Sequence, residues 1–367
     1  MTQEWHVWDF PDNVRIYLND KFRKWLFEKL KEICGSRYRL AKLLNLHPMS
    51  IKEYELGHSS RKFKVYISVK IIKQFIEILD KASKRYFLKE LEKNITSYRS
   101  RGGWIVSNPK LPIRESPKLY SLIFHLIGDG CDSAKSTPYY CNIHGELINE
   151  FISSLKIFGN VKIEVDMQHG VMYVYFPKVI ANLLSDIFKV EFTHPTHLPH
   201  SIFEANEECK AAAIRAFIDD EGSVSNAFYI TQKSRNILKQ LKILLNQFNI
   251  KTGKVGKTCE GAHRFTILKE SYETYFKKIG FTCREKRRKI ILEIKRIKSR
   301  KNTNKKFVMN ILLKEGPMTK YEIAKKVKMS VKKTFNALVE LRKDGKIFTQ
   351  KIPGQKCYLW CTKESNV

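Results

Sequence analysis

Two acids stand where a helix has least use for them. Residues 119–130 read LYSLIFHLIGDG and residues 211–222 read AAAIRAFIDDEG, each an apolar helical run ending on a carboxylate, Asp129 or Glu221, followed by glycine. A helix C-terminus carries the negative end of the backbone dipole, so an acid there is about 0.3–1 kcal/mol worse placed than at the N-terminus. Gly128-Asp129-Gly130 by itself reads as a turn, but the second run, 92 residues further on, makes a pattern of it. Two like charges ~5 Å apart repel by about 3 kcal/mol at an effective dielectric of ~20. Helices that brought both acids together would therefore favour a bound cation, most naturally Mg²⁺, which prefers oxygen ligands. Carboxylates around Mg²⁺ beside a basic surface point to phosphodiester hydrolysis, in which the metal stabilises the attacking and leaving oxygens.

The composition supplies the basic surface. The chain has 367 residues and a formal net charge of +31, spread along its length, which points to a polyanionic partner, nucleic acid before a membrane surface. A hydrophobic share of 43% is enough for real cores. The eight cysteines contain no Cys-x-x-Cys pair, which fits free thiols in a reducing compartment. The closest pair, Cys357 and Cys361, lacks the spacing of a zinc finger. The first residues, MTQEWHVWDFPDN, are no secretory signal, and no stretch reaches the ~18 apolar residues of a membrane span. A soluble, intracellular protein is expected, cytoplasmic or associated with the nucleoid.

The elements that must hold the acids repeat. After Asp129 come PYYCNIHG, a helix-like ELINEFISSLKIFG, two alternating segments and a helix-like VIANLLSDIF. After Glu221 come AFYITQKS, RNILKQLKILLNQFNI, two alternating segments and ESYETYFKKIGF. Lys178 follows its acid by 49 residues and Lys269 by 48. A period near ninety is too long for a solenoid and suits a duplicated αβ module. Two such modules about a pseudo-twofold axis would place both acids at one end of the helix interface.

With the lead-in LPIRESPKLY, the runs LIFHLIGDG and IRAFIDDEG resemble the paired motifs of LAGLIDADG homing endonucleases, over about residues 104–283. That resemblance implies an α+β fold of two αββαββα halves, whose two antiparallel sheets form a saddle over double-stranded DNA in a single chain acting as a monomer. It implies that Asp129 and Glu221 bind the divalent ions, Mg²⁺ or Mn²⁺, and that both strands are cut with short 3′ overhangs. Lys178 and Lys269 would polarise the site or assist the active water, or else anchor phosphates. The family's small interface residues correspond here to Phe124 and Gly128, Ala216 and Asp220, so each helix keeps one small residue and Phe124 is set opposite Ala216. His125 is expected as a core histidine bonded to a backbone oxygen. HPTHLPH, with His194, His197 and His200, falls at the linker between the repeats, and its prolines argue against a metal site.

Strand alternation places Ile143, Ile163, Phe228, Ile230, Phe265 and Ile267 inward. Tyr140, Asn142, His144, Lys162, Tyr229, Thr231, Arg264 and Thr266 are then expected to face the DNA groove. A one-residue slip would flip any strand's assignment.

Both flanks resemble DNA-binding modules. Residues 36–57, SRYRLAKLLNLHPMSIKEYELG, resemble a phage-repressor helix-turn-helix with Leu40, Leu44, Leu46, Ile51 and Tyr54 buried, and Met49, Ser50, Lys52 and Glu53 presented to the major groove. Residues 65–99 read as helical, with a boundary near Gly103, so residues 1–103 are expected to be an all-α domain. After residues 104–283, residues 284–306 carry twelve Lys or Arg against two Glu. They lead into a segment, within 284–367, that resembles a winged helix with strands about Pro353-Gly354 and with Lys332, Lys333 and Asn336 toward DNA. Three functions remain open: a site-specific, Mg²⁺-dependent DNA endonuclease, a non-cutting DNA-binding regulator on the same fold, and an intron maturase that binds RNA. No splice-junction residues of an intein are seen.

Overall fold

The structure, a computed structural model, describes residues 3–132, 137–351 and 358–363. The chain divides into two compact units, Met1–Arg287 and Arg288–Val367. No helix of the described residues is long and apolar enough to cross a membrane.

The first unit opens with β1 (Glu4–Trp5), β2 (Arg15–Leu18) and α1 (Asp20–Cys34), then α2 (Arg37–Leu43) and α3 (Pro48–Leu56). Ser36 and His47 cap α2 and α3, each accepting a backbone N–H with its side chain. Asn45 takes the left-handed conformation between them (φ 53°), which asparagine tolerates better than most residues. Leu40, Ala41, Leu44 and Ile51 are buried, whereas Leu46 and Tyr54, expected inside, are only half-buried. The buried guanidinium of Arg23 on α1 donates to the carbonyls of Glu55 and Leu56 at the end of α3, each at 3.2 Å, satisfying carbonyls a helix end leaves open.

This segment is not all-α, as its sequence suggested. After β3 (Ile67–Ser68), α4 (Val69–Ile78) and α5 (Lys81–Glu90), Ile95–Arg99 forms strand β4 and pairs antiparallel with β2. Ile95 and Tyr98 enter the core from β4, and β-branched and aromatic residues suit a half-buried strand. β4 pairs in turn with β5 (Val106–Ser107), and β5 with β9 (Asn160–Val161), in a five-stranded sheet ordered β3-β2-β4-β5-β9. Residues on both sides of Gly103 thus share one sheet. β6 (Ile113–Arg114) pairs with β1.

Two αββαββα repeats follow. The first runs α6 (Pro117–Asp129), β7 (Gly130–Cys131), β8 (Tyr139–Asn142), α7 (Gly145–Leu155), β10 (Glu164–Gln168), β11 (Val171–Tyr175) and α8 (Lys178–Phe188), with β9 between α7 and β10. The second runs α9 (Glu207–Glu221), β12 (Gly222–Val224), β13 (Phe228–Gln232), α10 (Arg235–Gln247), β14 (Gly256–Lys257), β15 (His263–Ile267) and α11 (Tyr272–Lys278). Each repeat builds a four-stranded antiparallel sheet, ordered β10-β11-β8-β7 and β12-β13-β15-β14.

α6 and α9 pack against each other at the centre. Residues Leu119–Ile127 of α6 are buried on every face, the mark of a helix enclosed by protein. Ser116 and Asn206 cap the two helices, and Pro117 sits in the first turn of α6, where no intrahelical N–H is lost. Gly128 is needed for the approach: a Cβ there would lie 2.9 Å from the Cβ of Asp220. Phe124 meets the ring of Phe217 edge-on, centroids 6.5 Å apart.

α12 (Arg284–Glu315) starts in the first unit and continues into the second. There it is followed by β16 (Met318–Thr319), α13 (Lys320–Lys326), α14 (Val331–Lys343), β17 (Ile347–Lys351) and β18 (Tyr358–Thr362), with the sheet ordered β16-β18-β17. The core of this unit gathers Val308, Leu312, Ile323, Leu338, Leu341 and Trp360. Thr319 and Glu322 close a reciprocal capping box on α13. Pro353, Gly354 and Cys357 lie outside the described residues.

Candidate active site

The α6–α9 interface delivers a third acid beside the expected two. Asp129 ends α6, and Asp220 and Glu221 end α9. Burial, reinforced by the charge of Asp220, pushes the Asp129 carboxyl up to about 7, against the pull of His125, Lys286 and Asn142. Burial, together with Asp129 and Asp220, pushes Glu221 up to about 8, against Lys286 and Gln232. Asp219 is also pushed up to about 7, chiefly by burial. Its Oδ2 accepts the Thr282 amide at 2.8 Å and its Oδ1 the Cys283 amide at 3.3 Å, so it serves the backbone leading into α12.

Asp220 is enclosed by donors. Its Oδ1 accepts the Tyr140 hydroxyl at 2.8 Å and the Asn142 amide at 3.1 Å, and its Oδ2 accepts His125 Nδ1 at 2.9 Å. His125 is therefore paired with a carboxylate, not with a backbone oxygen as its sequence context suggested. The crossing of α6 and α9 sets it opposite Asp220, where a charged partner beats a neutral carbonyl. Burial alone would lower the imidazole pKa, but the neighbouring Asp220 carboxylate raises it overall. Both side chains are fully buried. Asn142 Nδ2 also donates to Asp129 Oδ2 at 3.2 Å, bridging two acids. On the other side, Gln232 Nε2 donates to Glu221 Oε1 at 2.7 Å.

Strand β8 is one residue out of its expected phase. In the pairing with β11, Tyr140 stands opposite Val174 and Asn142 opposite Met172. Tyr140 is thus fully buried instead of facing a groove, and Ile143, expected inside, is 63% exposed. The hydroxyl of Tyr140 is anchored by Asp220 and its ring stacks on Phe151, which outweighs a simple hydrophobic count. Ile163 is only half-buried. In the second repeat Phe228, Ile230, Phe265 and Ile267 are buried, and Tyr229, Thr231, Arg264 and Thr266 lie on the opposite face of β13 and β15. The Arg264 guanidinium lies 4.3 Å from the Tyr229 ring centroid, and its Nε donates to Thr231 Oγ1 at 2.9 Å. In the first repeat, Lys162 is exposed, paired with Glu164 at 2.7 Å and 4.3 Å from the Trp104 ring centroid.

A cavity of about 270 Å³ opens on the acids, lined by Asp129, Asp219 and Asp220 with Cys141, Asn142, Ile143, His144, Val171 and Lys286. The lysine at this cavity is one the sequence did not single out. Lys286, in the first turn of α12, donates to the carbonyls of Ile218, at 3.3 Å, and Asp219, and its charge lowers the pKa of Asp129, Asp219 and Glu221. It was hidden among the twelve basic residues of 284–306. Lys178 instead opens α8, half-buried, and Lys269 opens a 3₁₀ turn, exposed.

At the flanks, Met49 and Lys52 of α3 are exposed and Ser50 is half-buried. Lys332, Lys333 and Asn336 are exposed on α14, and the last two line a cavity of about 240 Å³ with Lys301, Asn304 and Lys305. In the inter-repeat linker, His197 is bonded through Nε2 to the Lys189 carbonyl at 2.7 Å and through Nδ1 to Thr196.

Residues 208–280 match the model of the LAGLIDADG-like domain. The isomerizing glutamine–fructose-6-phosphate aminotransferase of Methanocaldococcus jannaschii is 24% identical over 242 residues, 62% of this chain and 21% of that protein. The chain thus spans about a fifth of the length of the curated relative it matches. Among solved structures, I-DmoI in complex with DNA and Mn is 14% identical, covering 45% of this chain and 97% of that one, TM-score 0.35. Full-length DUF199/WhiA from Thermatoga maritima is 12% identical, covering 62% and 90%, TM-score 0.36. The homing endonuclease I-WcaI bound to its DNA recognition sequence is 11% identical, covering 47% and 85%, TM-score 0.35. Residues 208–280, the segment that is similar to a LAGLIDADG-like domain, form the second of two αββαββα repeats whose first helices pack face to face and end in acids.

Proposed function

We propose that this chain is a site-specific, double-strand DNA endonuclease in which Asp129 and Glu221 hold divalent cations, Mg²⁺ or Mn²⁺. The observation that carries this reading is the meeting of the α6 and α9 ends, where burial and the charge of Asp220 lift Asp129, which lines the cavity, to about 7, and burial with Asp129 and Asp220 lifts Glu221 to about 8, in a protein of net charge +31. Carboxyls crowded together in this way favour a cation, and an all-oxygen donor set suits a hard one. A cation bound there would stabilise the attacking and leaving oxygens of phosphodiester hydrolysis. Asn142 and Gln232 orient the two carboxylates, and Lys286 offsets part of their charge. Lys178 and Lys269 anchor phosphates further out.

Tyr229, Thr231, Arg264, Thr266 and Lys162 contact the duplex from the outer sheet faces. Met49, Ser50 and Lys52, as part of a helix-turn-helix, and Lys332, Lys333 and Asn336, as part of a winged helix, lengthen the bound site. The two repeats supply both halves of a monomer, and cuts leave 3′ overhangs. Incubating the purified chain and a randomised duplex library with Mg²⁺ tests this, with EDTA and Asp129→Asn as controls. Metal-dependent double-strand cuts at one long motif, lost in Asp129→Asn while binding persists, support the enzyme.

The enclosure of Asp220 favours a second reading. A central acid already satisfied by His125, Tyr140 and Asn142 is stable without metal, as a DNA-binding regulator on this fold would require. Selective binding without cuts supports that reading.

A further inference from the structure

Beside the acid cluster lies a group of side chains with different chemistry. His144, Glu146 and Cys283 each bring a ligand atom, and the three atoms lie within 4.8 Å of one another. His144 is the residue before α7, Glu146 is in the first turn of that helix, and Cys283 immediately precedes α12. We propose that His144, Glu146 and Cys283 form a binding site for a Zn²⁺-class transition-metal ion, separate from the carboxylates of Asp129 and Glu221.

The donor set decides the class of ion. Imidazole, carboxylate and thiolate together suit Zn²⁺, whereas Mg²⁺ and Ca²⁺ take oxygen and leave a thiol unused. Three protein ligands also leave a fourth tetrahedral position for water. Ligands roughly 2.0–2.3 Å from zinc stand roughly 3.3–3.8 Å from one another, so closure asks for about 1 Å of side-chain adjustment.

The backbone under each ligand is already held. The amide of Cys283 donates to Asp219 Oδ1 at 3.3 Å, that of Arg284 to Glu146 Oε1 at 2.8 Å, and that of His144 to Asn142 Oδ1 at 3.1 Å. Among the described residues the His144 ring has no hydrogen-bond partner. Cys283 is fully buried while His144 reaches the cavity, which gives the ion a way in. The ion would tie the start of α7, in the first repeat, to the start of α12, which carries Lys286 to the acids. Its role is positional.

Cobalt is the probe, because a thiolate bound to Co²⁺ gives a near-ultraviolet charge-transfer band that oxygen ligands cannot produce. The full-length chain, stripped with EDTA and desalted, is titrated with Co²⁺ under reducing conditions. One equivalent should raise the band, Zn²⁺ should remove it, and excess Mg²⁺ should not. Cys283→Ser should abolish it, and Glu146→Gln and His144→Gln should weaken binding by at least about tenfold. Cys141→Ser, which removes the thiol beside Asp129, and Asp129→Asn should leave it intact. Circular dichroism checks the fold of each variant, and the partly exposed Glu146→Gln serves should Cys283→Ser fail to fold. The proposal is overturned by absence of the band in the parent, by its survival in Cys283→Ser, by unchanged affinity in Glu146→Gln, or by its loss in Cys141→Ser or Asp129→Asn.

Discussion

Without metal, the acid cluster should make the protein less stable as pH rises, and Asp129→Asn should remove the share of that dependence that Asp129 carries, beside those of Asp219 and Glu221. Folding raises the Asp129 carboxyl from 3.8 to about 7, mainly by burial and then by the charge of Asp220. Below the unfolded value the group is neutral in both states and costs nothing. As pH rises toward 7 the unfolded chain ionises while the folded one holds its proton, so stability is lost until the folded carboxyl has also ionised. At roughly 1.36 kcal/mol for each unit of pKa, the loss attributable to Asp129 is about 4 kcal/mol between pH ~4 and ~8. Asparagine keeps the shape and cannot ionise. In EDTA, therefore, Asp129→Asn should match or fall slightly below the parent near pH 4.5 and exceed it by several kcal/mol near pH 8. Urea unfolding followed by circular dichroism at a series of pH values measures the difference, and taking it against the variant cancels the background of the other titrating groups. At pH 8 saturating Mg²⁺ should restore the parent, by about 2.7 kcal/mol at a hundred times its dissociation constant, and leave the variant much less changed. Parallel stability curves for parent and variant would refute this account of the cluster.

Three further outcomes follow from the same geometry. Replacing His125 by Leu leaves the Asp220 carboxylate buried with two neutral donors, which should cost about 3–5 kcal/mol; His125→Leu with Asp220→Leu should recover most of it, and strictly additive losses in denaturant melts would show that the pair does not interact. Lys286→Met removes a donor to the end of α9 and the cation facing the acids, so it should cost about 1–2 kcal/mol in the same melts and steepen the loss of stability with pH; a slope equal to the parent's would remove Lys286 from the site. DNA affinity measured by fluorescence anisotropy should fall steeply with salt, at about −0.9 in log–log slope for each phosphate neutralised, and Lys332→Ala should reduce that slope by about one contact; an unchanged slope would take α14 off the DNA.

Much of this protein follows from local pattern. The two apolar runs, their acids and the period near ninety are carried by residue order, because helix periodicity and capping act within a few residues. Ser116, Pro117 and Asn206 start their helices by side-chain chemistry that any reader of the chain can find. The charge of +31 likewise belongs to composition.

What residue order left open depended on partners distant along the chain. Strand β8 could take either of two phases, and Tyr140 went inward because Asp220, 80 residues away, accepts its hydroxyl. Ile95–Arg99 read as helix until β2 offered it a ladder of hydrogen bonds. Lys286 was one lysine among many until α12 set it against the end of α9. His125 and Asp220, each unusual alone, became a pair only where the two helices cross. Sequence determined the two motif helices and the acids they carry, since those are local free energies; tertiary structure decided the strand of Ile95–Arg99 and which side chains neutralise one another, since sheet pairing, charge and burial are set by distances through space.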